Sequence, residues 1–244
     1  MKILLLAFLF FTCLPGYSQF KLSGAAQRMN ADCIMLTPDE QYVRGLAFHT
    51  TKVDLSNQFE IEFDIYLGNK DEGADGIVFV MHNDPRGFNA YGTWGECMSY
   101  GRWSKFYVSG DFISPSIAIE FDTYENFRQN DPTSDHIAYL ENGTNYHEVY
   151  WNSNNKNFNL EDDLMHNFRL NWNPKNHQLQ VWLDRQKVYE SNKDLVNEIF
   201  AGETQVIWGF TASTGRAHNL QYFCLRRWAK YTLPQVKPAE KEGD

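Results

Sequence analysis

Hydrophobic and polar residues alternate along much of the chain, as in strands that bury one face. In FEIEFDIY every second residue from Phe59 to Ile65 is apolar, and SIAIEFDTY repeats the pattern from Ile117 to Phe121. Successive side chains of a strand point to opposite faces, so residues two apart share a face. Both segments therefore predict β-strands with one apolar face.

Other segments combine β-branched and aromatic residues with intervening turns, and they predict more strands. GIVFVMH and TQVIWGFTAST are apolar runs, and HNFRLNWNPKNHQLQVWLDRQKVYE predicts three strands with turns at 174–176 and 185–186. LVNEIF, residues 195–200, predicts a helical turn, and LEDDL, residues 160–164, predicts a solvated acidic turn. The predicted fold class is all-β, an antiparallel β-sandwich.

The N-terminal sequence MKILLLAFLFFTCLPGYS has the features of a secretory signal peptide. Lys2 precedes a short apolar run, and small residues lie at Gly16 and Ser18, which predicts cleavage after residue 18. That run is too short to span a bilayer, and no other segment comes close. We expect a secreted or extracytoplasmic protein with one domain over residues 19–230 and a flexible polar tail over residues 231–244.

Charge and cysteine content narrow the picture further. The net charge of −9 gives little support to a nucleic-acid partner. An exported chain meets an oxidising compartment, and Cys33 and Cys224 lie in predicted strands near the two ends of the domain. If those strands are neighbours, a disulfide would stabilise the domain by about 4–5 kcal/mol and leave Cys97 unpaired. The alternative is three reduced, buried cysteines.

The stretch EFDTYENFRQNDPTSDH begins as a strand and continues as a polar loop. On a regular strand Glu120, Asp122 and Tyr124 share one face, with the two carboxylates about 6–7 Å apart. Carboxylates this close repel each other unless a cation lies between them. The loop adds an amide, a carboxylate and an imidazole, at Asn126, Asp131 and His136. By themselves these residues leave two uses open, hydrolysis and metal binding.

The candidate ligands divide into two sets by their chemistry. The all-oxygen set suits calcium and consists of Asp122, Asn126, Asp131 and the backbone carbonyl of Tyr124. The set with one imidazole suits manganese or another first-row divalent ion and consists of Glu120, Asp122, Asp131 and His136. Asp122 and Asp131 would then bridge the two ions.

This segment resembles the two-metal loop of the legume lectins, the concanavalin A type of L-type lectin, at all five side-chain positions. The wider sequence SPSIAIEFDTYENFRQNDPTSDHIAYLENG is similar to the bacterial branch of that family. The similarity extends from about Gly24 to Trp228. The resemblance implies a concanavalin A-like jelly roll that binds a glycan without catalysis and uses Ca²⁺ and Mn²⁺.

The resemblance also implies a sugar site built from four loops. In GADGIVFVMHNDP the family's Asp, here Asp75, follows a cis non-proline peptide bond and accepts hydrogen bonds from sugar hydroxyls. Asn126 also hydrogen-bonds the sugar, and the Tyr124 ring packs on it. The third loop supplies a family glycine and the fourth supplies backbone N–H groups, at Gly95, Gly215 and Arg216.

The third loop departs from the family pattern. AYGTWGECMSYGRW carries Glu96 where a donor-bearing residue, often Gly, is common, and Trp94 lies close by. We expect both side chains to crowd or reshape the pocket, and Arg216 is larger than the usual Gly of bacterial members. The resemblance therefore implies a sugar site without specifying the sugar.

Two other functions fit parts of the sequence. EFDTYE matches the ExDxxE pattern of laminarinase-like β-glucanases, in which Glu120 and Glu125 would be nucleophile and acid/base. On a regular strand these two side chains face opposite sides, so that use requires a bulge. A metal-binding structural or adhesion module that no longer binds sugar fits the altered third loop.

Overall fold

The computed structural model describes residues 20–104, 106, 110–146, 150–152 and 158–231. Within these residues the chain forms fifteen strands, one α-helix and two 3₁₀ turns. The strands are β1 (Phe20–Gly24), β2 (Gln27–Arg28), β3 (Cys33–Thr37), β4 (Arg44–His49), β5 (Val53–Asp54), β6 (Gln58–Tyr66), β7 (Gly76–His82), β8 (Ser116–Asp122), β9 (His136–Glu141), β10 (Tyr150–Trp151), β11 (His166–Asn173), β12 (Gln178–Leu183), β13 (Gln186–Ser191), β14 (Gln205–Ser213) and β15 (Gln221–Tyr231). The helix is α1 (Leu195–Glu198), and the 3₁₀ turns are Gly87–Asn89 and Gly95–Cys97.

The strands form two antiparallel sheets packed face to face. The eight-stranded sheet has the order β1-β4-β14-β7-β8-β9-β10, with β5 paired to β14. The seven-stranded sheet has the order β13-β12-β11-β6-β15-β3-β2. This architecture confirms the predicted antiparallel β-sandwich, and the strands predicted from alternation and apolar runs correspond to β6, β7, β8 and β11–β14.

The inner faces of the two sheets meet in an aromatic core. Alternation along the strands decides which side chains enter it, and the apolar residues of β6 and β8 predicted for one face are buried. Phe63 of β6 stacks on Phe168 at 6.1 Å between ring centroids and meets Phe210 edge-on at 4.7 Å. Burying a large apolar side chain contributes about 1.5–3 kcal/mol, so this core dominates the stability of the sandwich.

The outer face of the eight-stranded sheet is covered by the long segment between β7 and β8. Tyr100 and Ile113 of this segment pack in one apolar cluster with Val78 and Ala118 of the sheet. Because β8 alternates, its polar residues Glu120 and Asp122 lie on this same covered face. The packing therefore buries two carboxylates between a sheet and its covering segment.

The structure joins Cys33 and Cys224 by a disulfide and leaves Cys97 free and buried. The two half-cystines are register partners on β3 and β15. This arrangement confirms the predicted pairing and rules out the alternative of three reduced cysteines.

Two short predicted features have different outcomes. The helical turn is confirmed as α1, whose first turn is capped by Asp194. The solvated acidic turn of LEDDL is only partly correct: Leu160 and Glu161 are buried, whereas Asp162 to Leu164 are exposed. Leu160 packs in the main core cluster, and the adjacent Glu161 is buried as well.

The predicted signal peptide, residues 1–18, lies outside the described residues, as do residues 232–244 of the predicted tail. Among the residues that are described, no helix is long and apolar enough to cross a membrane.

Candidate functional site

The ends of β8 and β9 bring two carboxylates and an imidazole together. Asp122 and His136 are register partners on these adjacent strands, and Glu120 lies on the same face of β8 as Asp122. Each of the three offers one ligand atom within 4.8 Å of the others, and all three are buried. The fold thus brings three separated positions of the sequence into one cluster with the spacing of metal ligands.

The loop that connects β8 to β9 returns Asp131 to this cluster. Its side chain is fully buried, and Oδ1 lies 3.9 Å from Nε2 of His136. Its Oδ2 accepts a hydrogen bond from the backbone N–H of Asn126 at 2.6 Å. At the strand end, Oδ1 of Asp122 accepts one from Tyr124 N–H at 2.8 Å. The carboxylates of the cluster therefore also fix the loop backbone.

The cluster holds three buried carboxyl groups whose negative charges repel one another. Burial raises the pKa of Glu120 and of Asp122 well above the ordinary carboxyl range, and the negative charge of Asp131 raises both further. Burial likewise raises the pKa of Asp131 to about 7. Buried carboxylates this close favour either protonation or a bound cation.

The donor set fits the two ions predicted from the sequence. Oδ1 of Asn126 is buried and has no hydrogen-bond partner among the described residues, which suits a calcium ligand. His136 supplies the imidazole that a first-row ion prefers. Outside the predicted set, Asn145 donates to Oε1 of Glu120 at 2.7 Å and orients that carboxylate.

Asp75 lies directly beside this cluster. It follows a cis peptide bond from Ala74, as the resemblance implies. Its backbone is anchored on both sides, because its N–H donates to Ser213 O at 3.1 Å and its carbonyl accepts from Thr123 N–H at 3.2 Å. A Cβ at Gly76 would lie 2.1 Å from the carbonyl oxygen of Phe121, so only glycine fits after Asp75.

The Asp75 carboxylate has an oxygen that accepts no hydrogen bond from the described residues. The residue is 5% exposed, and the oxygen without a partner is Oδ2. Burial raises its pKa to about 7, helped by the negative charge of Glu96. An acceptor in this state is suited to a ligand that donates hydrogen bonds.

The third loop reaches the same place. Gly95 adopts a φ of +65°, which favours glycine, and its carbonyl accepts from the Ser213 hydroxyl at 3.0 Å. Glu96 accepts from Nε2 of Gln129 at 3.2 Å. Its charge acts on both Asp75 and Asp131, so the Glu96 carboxylate lies within the site. The exposed Trp94 instead packs edge-on against Tyr42 at 5.9 Å.

The fourth loop completes the arrangement. A Cβ at Gly215 would lie 3.8 Å from Oδ2 of Asp75. Gly215 N–H donates to Ala217 O at 3.1 Å, so this donor is used within the loop. The exposed Arg216 and Tyr124 line a neighbouring cleft of about 1060 Å³. All four predicted loops thus converge on Asp75 and its surroundings.

The comparison with known families agrees with this geometry. The sequence matches the family described as "Legume lectin beta-barrel domain" over residues 16–227. The chain belongs to the L-type lectin family.

Solved structures share the fold of this L-type lectin at low sequence identity. Lectin I-B4 from Griffonia simplicifolia, in its metal-free form, has a TM-score of 0.68 and 17% identity, covering 91% of this chain and 97% of that one. The lectin from Bauhinia forficata in complex with GalNAc has a TM-score of 0.67 and 19% identity, covering 87% and 91%.

A curated relative of this lectin is the pesticidal crystal protein Cry22Aa of Bacillus thuringiensis. The two are 23% identical over 89% of this chain and 33% of that protein. The lectin chain therefore spans about a third of the length of this relative.

Sequence reasoning missed two residues that contact carboxylates of the candidate site. Asn145 and Gln129 act only through tertiary contacts with Glu120 and Glu96, so no local pattern marks them.

Proposed function

We propose that this L-type lectin domain binds a glycan non-covalently where its four loops meet. The main support is the position of Asp75. Its buried carboxylate has an oxygen without a hydrogen-bond partner among the described residues, and this oxygen lies near the loops that contain Asn126 and Gly215. Sugar hydroxyls are donors that would satisfy such an acceptor. The GalNAc complex of the Bauhinia lectin supports a sugar as the class of ligand.

We further propose that the adjacent cluster binds calcium and a first-row divalent ion such as manganese. The calcium ligands are Asp122, Asn126, Asp131 and the carbonyl of Tyr124, and the second set is Glu120, Asp122, Asp131 and His136. Bound ions would neutralise the carboxylates and fix the backbone of the loop. Asn126 would then be oriented before the glycan arrives, which reduces the ordering cost of binding.

The proposal includes export from the cell and membership of the bacterial branch of the family. The Cys33–Cys224 disulfide supports export, because such bonds persist in oxidising compartments. The similarity to a Bacillus thuringiensis protein supports the bacterial branch.

A glycan array tests the proposal. Residues 19–244 would be applied with calcium and manganese, and again with EDTA. We expect Asp122→Ala to lose both ions and glycan binding, because Asp122 bridges the two proposed ions. We expect Asn126→Ala to lose glycan binding while keeping the fold. The control is Asn57→Ala, an exposed asparagine just before β6.

A metal-binding module without glycan binding is the second candidate, favoured by the Glu96 carboxylate in the site. Metal bound at the expected stoichiometry, with no array signal, would establish it in place of the lectin function. A glycan shortened by the protein would instead indicate hydrolysis. Against hydrolysis, Glu120 is 1% exposed and oriented by Asn145, whereas Glu125 is exposed and lines the large cleft.

A further inference from the structure

A second acidic group lies on the opposite face of β8 and β9 from the proposed metal site. Asp122 and His136 are register partners, so the next residues, Thr123 and Asp135, project toward the other face. The Asp135 carboxylate contacts the segment before β11 at Leu160.

Two loops meet Asp135 there. The loop before β11 supplies Asn159, whose Nδ2 donates to Oδ1 of Asp71 at 2.9 Å, and Leu160, whose N–H donates to Oδ2 of Asp135 at 2.5 Å. The negative charges of Asp135 and Asp71 both act on the next residue, Glu161. The end cluster is defined here as Asp71, Asp135, Asn159 and Glu161.

Glu161 differs from an ordinary surface carboxylate because it is buried. It is 2% exposed, and neither carboxylate oxygen has a hydrogen-bond partner among the described residues. The Thr123 hydroxyl lies close enough to Glu161 to lower the pKa of its carboxyl, but its position does not meet the geometry of a hydrogen bond. Oδ1 of Asn159 is also buried and lacks a partner in the described part of the chain. Burying such groups is costly unless a ligand satisfies them.

The electrostatics of the end cluster agree with this geometry. Burial raises the pKa of Glu161 to about 9, and the charge of Asp135 adds to the rise. The neighbouring Lys70 is held by Asp39 and His218, so its ammonium group is engaged away from the end cluster.

We propose that the end cluster is a second divalent-cation site, separate from the Glu120 cluster, with the ligand chemistry of calcium. Its donors are the carboxylates of Asp71, Asp135 and Glu161, the amide oxygen of Asn159 and the hydroxyl of Thr123. Calcium takes six to eight oxygen ligands. Water completes the shell from the cleft of about 1060 Å³, which Asp71, Thr123 and Asp135 line.

An ion here would fasten the loops that support the proposed sugar site. Asp71 shortly precedes Asp75, and Thr123 N–H donates to the carbonyl of Asp75 at 3.2 Å. A calcium ion bound through Thr123 would therefore help to hold the Asp75 backbone through this hydrogen bond. The inference does not require that the protein binds a glycan.

Calcium titration by calorimetry, on protein stripped with EDTA, tests the site. CaCl₂ alone is the probe, and the number of ions and their affinities are compared between wild type and Glu161→Gln. We expect Glu161→Gln to weaken one calcium site by about tenfold or more and to leave the others unchanged. The matched control is Glu72→Gln, which removes the same charge from an exposed neighbour of Asp71. This control should bind calcium as wild type does.

Asp122→Asn separates this site from the proposed metal site. It should lose calcium at the Glu120 cluster and keep the site that Glu161→Gln weakens. Unchanged number and affinity of calcium sites in Glu161→Gln overturn the inference. If Glu161→Gln does not fold, Asp71→Asn decides instead, because Asp71 is exposed and its loss does not disturb the interior. Unchanged binding in that variant then overturns it.

Discussion

At the scale of single residues, Glu96 most alters the site relative to the pattern that the sequence resembles. Its carboxylate accepts from Gln129 and raises the pKa of Asp75. Two carboxylates that only accept hydrogen bonds then border the same space. A ligand in this space gains most from groups that donate to both, so Glu96 is placed to set specificity within the proposed function.

Replacing Glu96 should therefore change which glycans bind. We expect Glu96→Gln to weaken binding of the preferred glycan by about tenfold or more, because hydrogen bonds to charged groups contribute roughly 1.5–3 kcal/mol. Glu96→Gly should widen the range of glycans by clearing the pocket. Both variants would be compared with wild type on one array, with Glu203→Gln, an exposed residue before β14, as the control. An unchanged glycan profile in both variants would remove Glu96 from the site.

At the scale of elements, the antiparallel pair β8–β9 organises the site. Asp122 and His136 face each other across the pair, while the connecting loop lies over them through Asp131 and Asn126. The strands are held by the sheet whether or not an ion is present. The loop depends on a few side-chain contacts to buried carboxylates, and a bound ion would add to these.

Hydrogen exchange should show this difference between strands and loop. We expect calcium and manganese to slow amide exchange in residues 123–135, because ions that bind only the ordered loop suppress its opening. Exchange in β8 should change little. The turn at residues 174–177, between β11 and β12, provides an internal control. Equal exchange of the 123–135 loop with ions and with EDTA would contradict its proposed dependence on metal.

At the scale of the whole molecule, one covalent bond ties the two ends of the domain together. Cys33 on β3 and Cys224 on β15 are separated by 191 positions in sequence. Both strands belong to the seven-stranded sheet, in which β15 pairs with β6, the strand that carries Phe63 into the core. A bridge across so long a loop removes much of the freedom of the unfolded chain.

Removing this bridge should lower the stability of the domain without changing its fold. We expect the double variant Cys33→Ala, Cys224→Ala to lose about 4–5 kcal/mol in the free energy of unfolding, from loop-closure entropy. Urea denaturation would measure the loss, with wild type as the reference and Cys97→Ala as a cysteine control. A decrease of less than about 1 kcal/mol in the free energy of unfolding would show that removing the disulfide adds little conformational entropy to the unfolded chain.

Local sequence pattern was enough to predict strands β6–β8 and β11–β14 and the residues of the proposed metal site. Alternation from Phe59 to Ile65 and from Ile117 to Phe121 specifies a buried face, because successive side chains point to opposite sides of a strand. The carboxylates, amide and imidazole from Glu120 to His136 are close in sequence, so one strand, one loop and the next strand bring them together.

Contacts between residues that are distant in the sequence became known only from the tertiary structure. Asp75, Gly95 and Gly215 were assigned to one site only through resemblance, and hydrogen bonds between loops such as Ser213 to Gly95 bring them to the same place. Glu161 shows the limit most clearly. LEDDL predicts a solvated turn, yet Glu161 is buried near Asp71 and Asp135. The prediction failed because a local pattern gives the polarity of a residue and does not show which distant segments cover it.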